Sequence, residues 1–392
     1  MSAIAPATPG APVVSHEDVR VMVVDDALVV RSLLARWIEA EPGLKVVATL
    51  RNGREALDRL EETKPDVVVL DVEMPELDGI STLPRLLEAR RDLVVIMASA
   101  LTRENAEVTF KALALGAADY IPKPATEGGV MTSPAFQREL IEKIRVLSAR
   151  PRKRLALPPY ARVAPVTRRL ASAVQRISQW RSAPAEPAPH NLRPFSAATP
   201  RVLLIRASTG GPQALTKLIS RLDAVSDLAP ILITQHMPVT FTTILAEHLT
   251  RSGAKQVREA VHGEPVLAGK VYLAPGGKHM KVTRHDGTAA IVLDDGPPVH
   301  FCKPAVDPLF STAAEVWGAW NLALILTGMG TDGTAGAGEI VAQGGSVICQ
   351  DEASSVVWGM PGSAIEAGVC SAVLPLDQIA AKVVRLFLGA KS

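Results

Sequence analysis

Cysteine is scarce in this chain, with three residues among 392. Cys302, Cys349 and Cys370 are odd in number and lack the spacing of metal ligands, which argues against both a disulfide framework and a zinc site. We expect them to be small buried side chains in a reducing cytoplasm. No apolar run reaches the roughly 18 residues that a membrane-spanning helix needs, so we expect a cytoplasmic protein with no membrane insertion.

Net charge is also small, a formal +2, and it conceals one basic segment. From Ala149 to Pro200 the chain carries ten Lys or Arg residues, nine prolines and one acid, Glu186. Such a composition cannot bury a core, so we predict an exposed, basic, Pro/Ala-rich linker over residues 149–199. Because the positive charge is confined to this segment, no nucleic-acid partner is indicated.

The domain organisation follows from chain length and from strand–helix alternation on both sides of the linker. A chain of 392 residues is too long for one ordinary core. Residues 1–16 are predicted to be a disordered tail, since they lack the basic start and apolar core of a signal peptide. We predict one α/β domain over residues 17–148 and a second over residues 200–392.

Short β-branched runs alternate with helix-period stretches in both domains, which predicts parallel sheets with right-handed crossovers. For the first domain we predict five strands, at Val19–Val24, Lys45–Leu50, Val67–Leu70, Leu93–Ala98 and Ala118–Ile121. For the second we predict a doubly wound, mostly parallel sheet with strands at Val202–Ile205, Ile231–Thr234, Lys270–Ala274, Leu322–Leu326 and Ser346–Gln350. A small antiparallel hairpin is expected to turn at Asp286-Gly287.

Polar side chains follow several predicted strands of the first domain. Asp25 and Asp26 follow the first strand and Asp71 the third, so three carboxylates are expected at one edge of the sheet. Oxygen ligands suit Mg²⁺, which would also relieve the repulsion among the carboxylates. Ser99 and Lys123 end the fourth and fifth strands, where a hydroxyl and an ammonium can hold phosphoryl oxygens. These groups together predict an aspartyl-phosphate site.

From Val19 to about Leu147 the chain resembles the receiver domain of two-component response regulators. The resemblance lies in Val23-Val24-Asp25-Asp26, Leu70-Asp71-Val72-Glu73-Met74-Pro75, Ser99-Ala100 and Lys123-Pro124. It implies a flavodoxin-like fold in which Asp71 accepts phosphate from a histidine kinase. It also implies that Asp25, Asp26 and Asp71 hold Mg²⁺, and that Ser99 and Lys123 contact the phosphoryl group.

Three motifs in the second domain each follow an apolar run. They are Ser208-Thr209-Gly210-Gly211, Gln235-His236-Met237-Pro238 and Gly328-Met329-Gly330-Thr331-Asp332-Gly333. If the runs are parallel strands, Ser208, His236 and Asp332 arrive together at the carboxyl edge of the sheet, where α/β proteins bind ligands. Serine, histidine and aspartate form a nucleophilic triad that is recognised by geometry and not by sequence order. The motifs therefore predict a hydrolase.

The same glycine loop supports a different hypothesis. Gly328, Gly330 and Gly333 have the spacing of a dinucleotide-binding fingerprint, and Asp351 follows the next strand, where an acid would bind the ribose. A nicotinamide-dependent oxidoreductase is thus an alternative. It leaves Ser208 and His236 without a role, and it puts the Asp332 carboxylate where a pyrophosphate would bind.

Residues from Arg201 to about Phe387 resemble the catalytic domain of the CheB family, the chemotaxis protein-glutamate methylesterases. The matching motifs are Ala207-Ser208-Thr209-Gly210-Gly211, Ile233-Thr234-Gln235-His236-Met237-Pro238, Tyr272-Leu273-Ala274-Pro275-Gly276, Leu326-Thr327-Gly328-Met329-Gly330-Thr331-Asp332-Gly333 and Gly359-Met360-Pro361. The resemblance implies that Ser208, His236 and Asp332 are catalytic. It places Thr209 and Met329 in supporting positions at the oxyanion site.

The family resemblance also implies a function and its control. The expected enzyme hydrolyses glutamyl methyl esters on the cytoplasmic helices of chemoreceptors, releases methanol and needs no cofactor for this reaction. Deamidation of receptor glutamines is left open as a second activity. Phosphorylation of Asp71 is expected to activate the esterase by weakening the docking of the receiver over the catalytic edge.

Arg206 departs from the family pattern, which usually has glycine two residues before the catalytic serine. We considered that the side chain reaches solvent, lies near an acidic substrate surface, or crowds the site and lowers activity. This departure motivates a second alternative, a non-catalytic signalling scaffold controlled by phosphorylation. A DNA-binding response regulator is less favoured because no helix-turn-helix pattern follows the linker.

Overall fold

The computed structural model describes residues 18–123, 134–149, 191–253 and 256–389. The predicted tail and most of the predicted linker lie outside these residues. Residues 191–199, the end of the predicted linker, are tied to the second domain. The Arg193 amide donates to the Cys370 carbonyl at 2.8 Å, and the Ser196 amide donates to Ser346 Oγ at 2.8 Å.

The first domain contains a five-stranded sheet in the order β2-β1-β3-β4-β5, flanked by five helices. The strands are β1 (Val19–Val24), β2 (Leu44–Leu50), β3 (Val67–Asp71), β4 (Val94–Ala100) and β5 (Asp119–Lys123). The helices are α1 (Leu28–Glu39), α2 (Gly53–Thr63), α3 (Gly79–Ala89), α4 (Arg103–Leu115) and α5 (Pro134–Ser148). This architecture confirms the predicted five-stranded α/β fold, with element ends shifted by one or two residues.

Local sequence explains where several of these helices begin. The side chains of Asn52, Asp78 and Thr102 each accept a hydrogen bond from a backbone amide in the first turn of α2, α3 and α4. Such N-caps satisfy amides that have no partner within the helix. Strands β1 and β3 are largely buried β-branched runs, as expected for a sheet covered on both faces.

The second domain contains a seven-stranded sheet in the order β14-β13-β12-β6-β7-β9-β8, and every neighbouring pair in it is parallel. The strands are β6 (Val202–Ala207), β7 (Ile231–Gln235), β8 (Val257–Glu259), β9 (Val271–Leu273), β12 (Asn321–Ile325), β13 (Ser346–Gln350) and β14 (Ala372–Leu374). The helices are α6 (Gly211–Ile219), α7 (Asp223–Leu228), α8 (Val239–Arg251), α9 (Asp307–Trp317), α10 (Thr334–Ala342), α11 (Gly359–Glu366) and α12 (Leu376–Phe387).

A two-stranded antiparallel hairpin, β10 (His279–His285) with β11 (Thr288–Asp294), stands beside this sheet. Asp286 and Gly287 at its tip both have positive φ angles, 47° and 79°. Two consecutive left-handed residues are typical of the tight turn that matches strand twist, so the predicted hairpin and its turn are confirmed. Its buried residues Met280 and Ile291 join Phe310 of α9 in one hydrophobic core.

Two strands of the second sheet, β8 and β14, were not predicted. Each has three residues, too few to display a hydrophobic period. Among the described residues, no helix has the length and hydrophobicity required to cross a membrane.

Candidate active site

The register of three neighbouring strands brings the three sequence motifs of the second domain together. Ala207 of β6 pairs with Gln235 of β7, and Arg206 pairs with Ile325 of β12. All three strands are parallel, so the loops that follow them share the carboxyl edge. The Ser208 amide donates to the Thr327 carbonyl at 3.1 Å, which ties two of these loops directly.

His236 and Asp332 form a close pair at this edge. His236 Nε2 lies 2.7 Å from Asp332 Oδ2, and both side chains are largely buried. Asp332 also accepts hydrogen bonds from the backbone amides of Val306 at 2.7 Å and Asp307 at 3.0 Å. Burial raises the pKa of Asp332, but His236 and these amides outweigh that effect and hold it at about 2. Asp332 is therefore a fixed anion that orients the imidazole.

The other ring nitrogen of His236 meets a cysteine. Cys302 Sγ lies 3.3 Å from His236 Nδ1. Burial lowers the pKa of His236, but the sulfur of Cys302 and the Asp332 carboxylate together raise it to about 9. Among the described residues, Ser208 and His236 share no side-chain hydrogen bond, so the structure brings the serine to the same edge without completing the triad.

Glycines allow the loop of the half-buried Ser208 to approach its neighbours closely. A Cβ on Gly211 would lie 2.0 Å from Gln235 Oε1, and one on Gly328 would lie 2.8 Å from Ser208 Cβ. Gln235 Nε2 donates to the Ser208 carbonyl at 3.0 Å and so holds the loop from the neighbouring strand. A larger residue at Gly211 would clash with the Gln235 side chain, and one at Gly328 would clash with Met360 and Ser208.

Two backbone amides in these loops are available to a ligand. Within the described part of the chain, the amides of Thr209 and Met329 donate no hydrogen bond, and the Gly328 amide is taken by the Val357 carbonyl at 2.9 Å. Free amides at the edge of the sheet are the groups that stabilise a developing oxyanion. This placement fits the supporting positions predicted for Thr209 and Met329.

Arg206 does not reach solvent, which corrects one of the expectations for this residue. Its side chain is fully buried, and its Nε, Nη1 and Nη2 atoms have no hydrogen-bond partner among the described residues. The buried guanidinium packs against Gly333, in the loop that contains Asp332. It therefore also does not contact a substrate surface.

The first domain has its own cluster of polar groups at the carboxyl edge of the sheet. Lys123 Nζ lies 2.6 Å from Asp25 Oδ2 and 2.7 Å from Asp71 Oδ1. One carboxylate oxygen from each of Asp25, Asp26 and Asp71 lies within 4.8 Å of the other two. Ser99, in β4, directly follows Ala98, which pairs with Asp71. The five side chains predicted from sequence thus lie at one edge.

Electrostatics in this cluster favour an added cation. Burial, reinforced by the charge of Asp25, raises the pKa of Asp71 to about 6, although Lys123 opposes that shift. Among the described residues, Lys123 is the one ammonium ion-paired with Asp25 and Asp71, so the three carboxylates of the cluster leave negative charge in excess. Oxygen donors in this arrangement fit Mg²⁺, which takes one or two carboxylates and leaves positions for phosphoryl oxygens and water.

Comparisons with known proteins assign this architecture to a family. Residues 203–383 match the family model "CheB methylesterase", and residues 21–133 match "Response regulator receiver domain". The chain is 58% identical over 384 residues to the protein-glutamate methylesterase/protein-glutamine glutaminase of group 2 operon from Bradyrhizobium diazoefficiens, with 95% of each chain covered. It is 55% identical, over the full length of both chains, to the protein-glutamate methylesterase/protein-glutamine glutaminase of Rhodopseudomonas palustris strain BisB5.

This chain belongs to the CheB methylesterase family. The catalytic domain of Thermotoga maritima CheB methylesterase is 40% identical, with a TM-score of 0.47; the match covers 48% of this chain and all of that one. The family assignment overturns the nicotinamide alternative. In the structure, Asp351 instead accepts hydrogen bonds from the amide and hydroxyl of Ser354.

Sequence reasoning missed the contributions of three residues at this CheB-type site. Gln235 stands beside His236 in a recognised motif, and its place at a buried strand end was the available signal. Cys302 lies in the segment between the hairpin and α9, and Asp307 is the first residue of α9; no motif marked either of them. Only the folded chain reveals that this segment covers His236 and Asp332.

Proposed function

We propose that this protein hydrolyses glutamyl methyl esters on the cytoplasmic helices of chemoreceptors and releases methanol, under control of phosphorylation. The observation that carries the proposal is the buried His236–Asp332 pair at the sheet edge reached by Ser208, in a chain that belongs to the CheB methylesterase family. The same chemistry extends to deamidation of receptor glutamines, because both substrates pass through a glutamyl-serine ester. The proposed site of action is the cytoplasm.

The proposed reaction is acyl transfer in two steps. Ser208 Oγ attacks the ester carbonyl carbon while His236 takes its proton, and the amides of Thr209 and Met329 donate to the oxyanion. Methanol leaves with the proton that His236 returns. Water then attacks the glutamyl-serine ester with His236 as base, which releases the carboxylate and restores Ser208.

His236 must change its contacts for this reaction to begin. Its Nε2 is held by Asp332, so Nδ1 is the nitrogen left to accept the serine proton, and Nδ1 faces Cys302. We propose that the ring and the Ser208 side chain rotate, so that Nδ1 exchanges the thiol for the hydroxyl. The arrangement described here is therefore a resting state of the proposed triad.

Phosphorylation is proposed to occur on Asp71. An Asp71 carboxylate oxygen attacks the phosphorus of a phosphohistidine on a histidine kinase, the P–N bond breaks, and the imidazole of the kinase leaves with the electron pair and takes up a proton. Asp25, Asp26 and Asp71 would hold Mg²⁺, which supplies positive charge to the transferring phosphoryl group. Lys123 and Ser99 then contact the phosphoryl oxygens, and Lys123 gives up part of its present contact with Asp71.

Methanol release from methyl-labelled chemoreceptor membranes tests this function. The wild-type protein should release methanol, and a small phosphodonor with Mg²⁺ should increase the rate. Asp71→Asn should retain the low rate and lose the response, whereas Asp58→Asn, at an exposed position of α2, should respond as wild type does. No methanol release by phosphorylated wild type from matched receptors would favour the scaffold alternative.

A shortened protein tests the control step separately. It should begin at Asn191, since residues 191–199 make hydrogen bonds to the second domain. We expect this protein to be active without a phosphodonor, because the inhibiting receiver has been removed. Equal activity of the unphosphorylated full-length and shortened proteins would contradict inhibition by the receiver.

A further inference from the structure

Arg206 is a fully buried cation directly beneath the catalytic loops. It lies two residues before Ser208 on β6, and a Cβ on Gly333 would lie 2.8 Å from its Nη1 atom. The guanidinium therefore packs against the residue that follows Asp332. Gly333 has a φ of 82° and leaves the space that this side chain fills.

Two largely buried carboxylates, Asp332 and Asp307, interact electrostatically with this guanidinium. One carboxylate oxygen of Asp332, one of Asp307 and one ring nitrogen of His300 all lie within 4.8 Å of one another. Asp307 Oδ1 accepts the Gly336 amide at 2.7 Å, and its Oδ2 lies 3.4 Å from His300 Nε2. Two like charges this close are costly to bury unless a positive charge offsets them.

Four titratable side chains contribute to the electrostatics of Arg206, two carboxylates and two thiols. Asp332 belongs to the loop after β12, Asp307 begins α9, Cys349 lies in β13 and Cys302 precedes α9. Burial lowers the pKa of Arg206 to about 10, so it stays a cation at neutral pH. Burial raises the pKa of Asp307 and the charge of Asp332 adds to that rise, while Arg206 opposes it.

We propose that Arg206 is a positioning residue for the esterase reaction, an internal cation that offsets the largely buried carboxylates of Asp307 and Asp332 and disfavours protonation of His236. The inference rests on the proposed function, in which neutral His236 accepts the proton of Ser208. The guanidinium forms no hydrogen bond with the described residues, so its contribution is the charge itself and not a directional contact. The positive charge of Arg206 repels a second positive charge on the His236 imidazole, which is bound to Asp332.

Substitution of Arg206 separates charge from packing. Arg206→Met keeps most of the volume and removes the charge, whereas Arg206→Lys keeps the charge with a smaller head group. Arg201→Met is the matched control, because Arg201 precedes the same strand at its other end and stacks on Trp320 at 4.5 Å. The full-length protein is used throughout.

The charge state of His236 is the decisive readout. The protein is labelled with ¹³C in its histidine rings, the His236 signal is assigned by its loss in His236→Gln, and it is titrated from pH 6 to pH 10. Arg206→Met should raise the titration midpoint of His236 by about one pH unit, the size expected for loss of a charge at short range inside a protein. Arg206→Lys and Arg201→Met should leave it near the wild-type value.

Methanol release measured on the same samples distinguishes the possible failures. The acid limb of the pH profile of kcat/KM should move with the titration midpoint of His236. At pH values below that midpoint, kcat/KM of Arg206→Met should be lower than that of wild type by up to about tenfold. A folded Arg206→Met protein with the wild-type midpoint would overturn the inference, as would equal shifts in Arg206→Met and Arg206→Lys. A wild-type protein without esterase activity would instead overturn the proposed function.

Discussion

His236 Nδ1 lies 3.3 Å from Cys302 Sγ, so the ring nitrogen that faces away from Asp332 meets a thiol and not Ser208. Both nitrogens of the proposed catalytic base are thus engaged in the resting structure. The contact favours the protonated ring, because Cys302 is the leading contributor that raises the pKa of His236 to about 9. We therefore expect the proposed base to be protonated at neutral pH, which is the wrong charge state for taking the proton of Ser208.

The first prediction concerns pH. Because the pKa of His236 is raised to about 9, the ring is protonated at neutral pH, and kcat/KM should rise from pH 7 to about pH 9. The raised pKa also stabilises the fold below the unfolded value of about 6.5, and this contribution is lost as pH rises through about 9. Thermal unfolding and methanol release across this range should therefore show stability falling as activity rises. An activity plateau already reached at pH 7 would contradict the raised pKa.

Removal of the thiol gives a second prediction. Cys302→Ala should lower the pKa of His236 and move the acid limb of kcat/KM to lower pH, because Cys302 raises that pKa. Activity at pH 7 should increase by up to about tenfold if the shift reaches one pH unit. Cys370→Ala is a suitable control, since Cys370 interacts with Cys349. An unchanged acid limb in Cys302→Ala would show that the thiol contact has no influence on the base.

The carboxylate that orients His236 supplies a third prediction. Asp332→Asn should lower kcat by roughly 10³- to 10⁴-fold, since an amide cannot hold the imidazolium or fix its tautomer. Asp351→Asn should stay within a few-fold of wild type, because Asp351 caps the loop at Ser354. The two variants are compared by methanol release under saturating phosphodonor. Comparable losses in both would argue that the glycine loop has a role beyond the triad.

A fourth prediction concerns phosphorylation. The pKa of Asp71 is raised to about 6, so a growing fraction is protonated and non-nucleophilic below that pH. Phosphorylation by a small phosphodonor should fall as pH decreases through 6, and a higher Mg²⁺ concentration should move this midpoint downward. Phosphate incorporation into the intact protein, measured by mass spectrometry with Asp71→Asn as the blank, checks both effects. A rate that does not vary between pH 5 and 7 would contradict the raised pKa.

Much of the architecture was predictable because the candidate site residues directly follow or end apolar strands. Two strands of the first domain are almost wholly apolar up to the aspartate that ends or follows them, namely Val19–Val24 before Asp25 and Val67–Asp71. The apolar run and the polar residue at its end are both visible in the sequence. Parallel pairing then brings Asp25 and Asp71 to one edge without further information. The same logic predicted that Ser208 and His236 follow neighbouring strands at one edge of the second sheet.

The remainder depends on contacts between distant parts of the chain. Arg206 is buried because Gly333, far along the sequence, leaves room for its guanidinium. Cys302 reaches His236 because the segment between β11 and α9 folds over the edge, and no local pattern encodes that path. The sequence therefore predicted His236 as the proposed base, but it could not predict the charged and polar groups that surround it.

The most direct test of the account is methanol release by Ser208→Ala beside Ser220→Ala. Ser220 ends α6 on an exposed surface and provides the same substitution outside the site. Both proteins are phosphorylated and given the same methyl-labelled receptor membranes. The account predicts that Ser208→Ala loses roughly 10³-fold or more in rate while Ser220→Ala matches wild type. Methanol release by Ser208→Ala within tenfold of wild type would contradict Ser208 as the nucleophile.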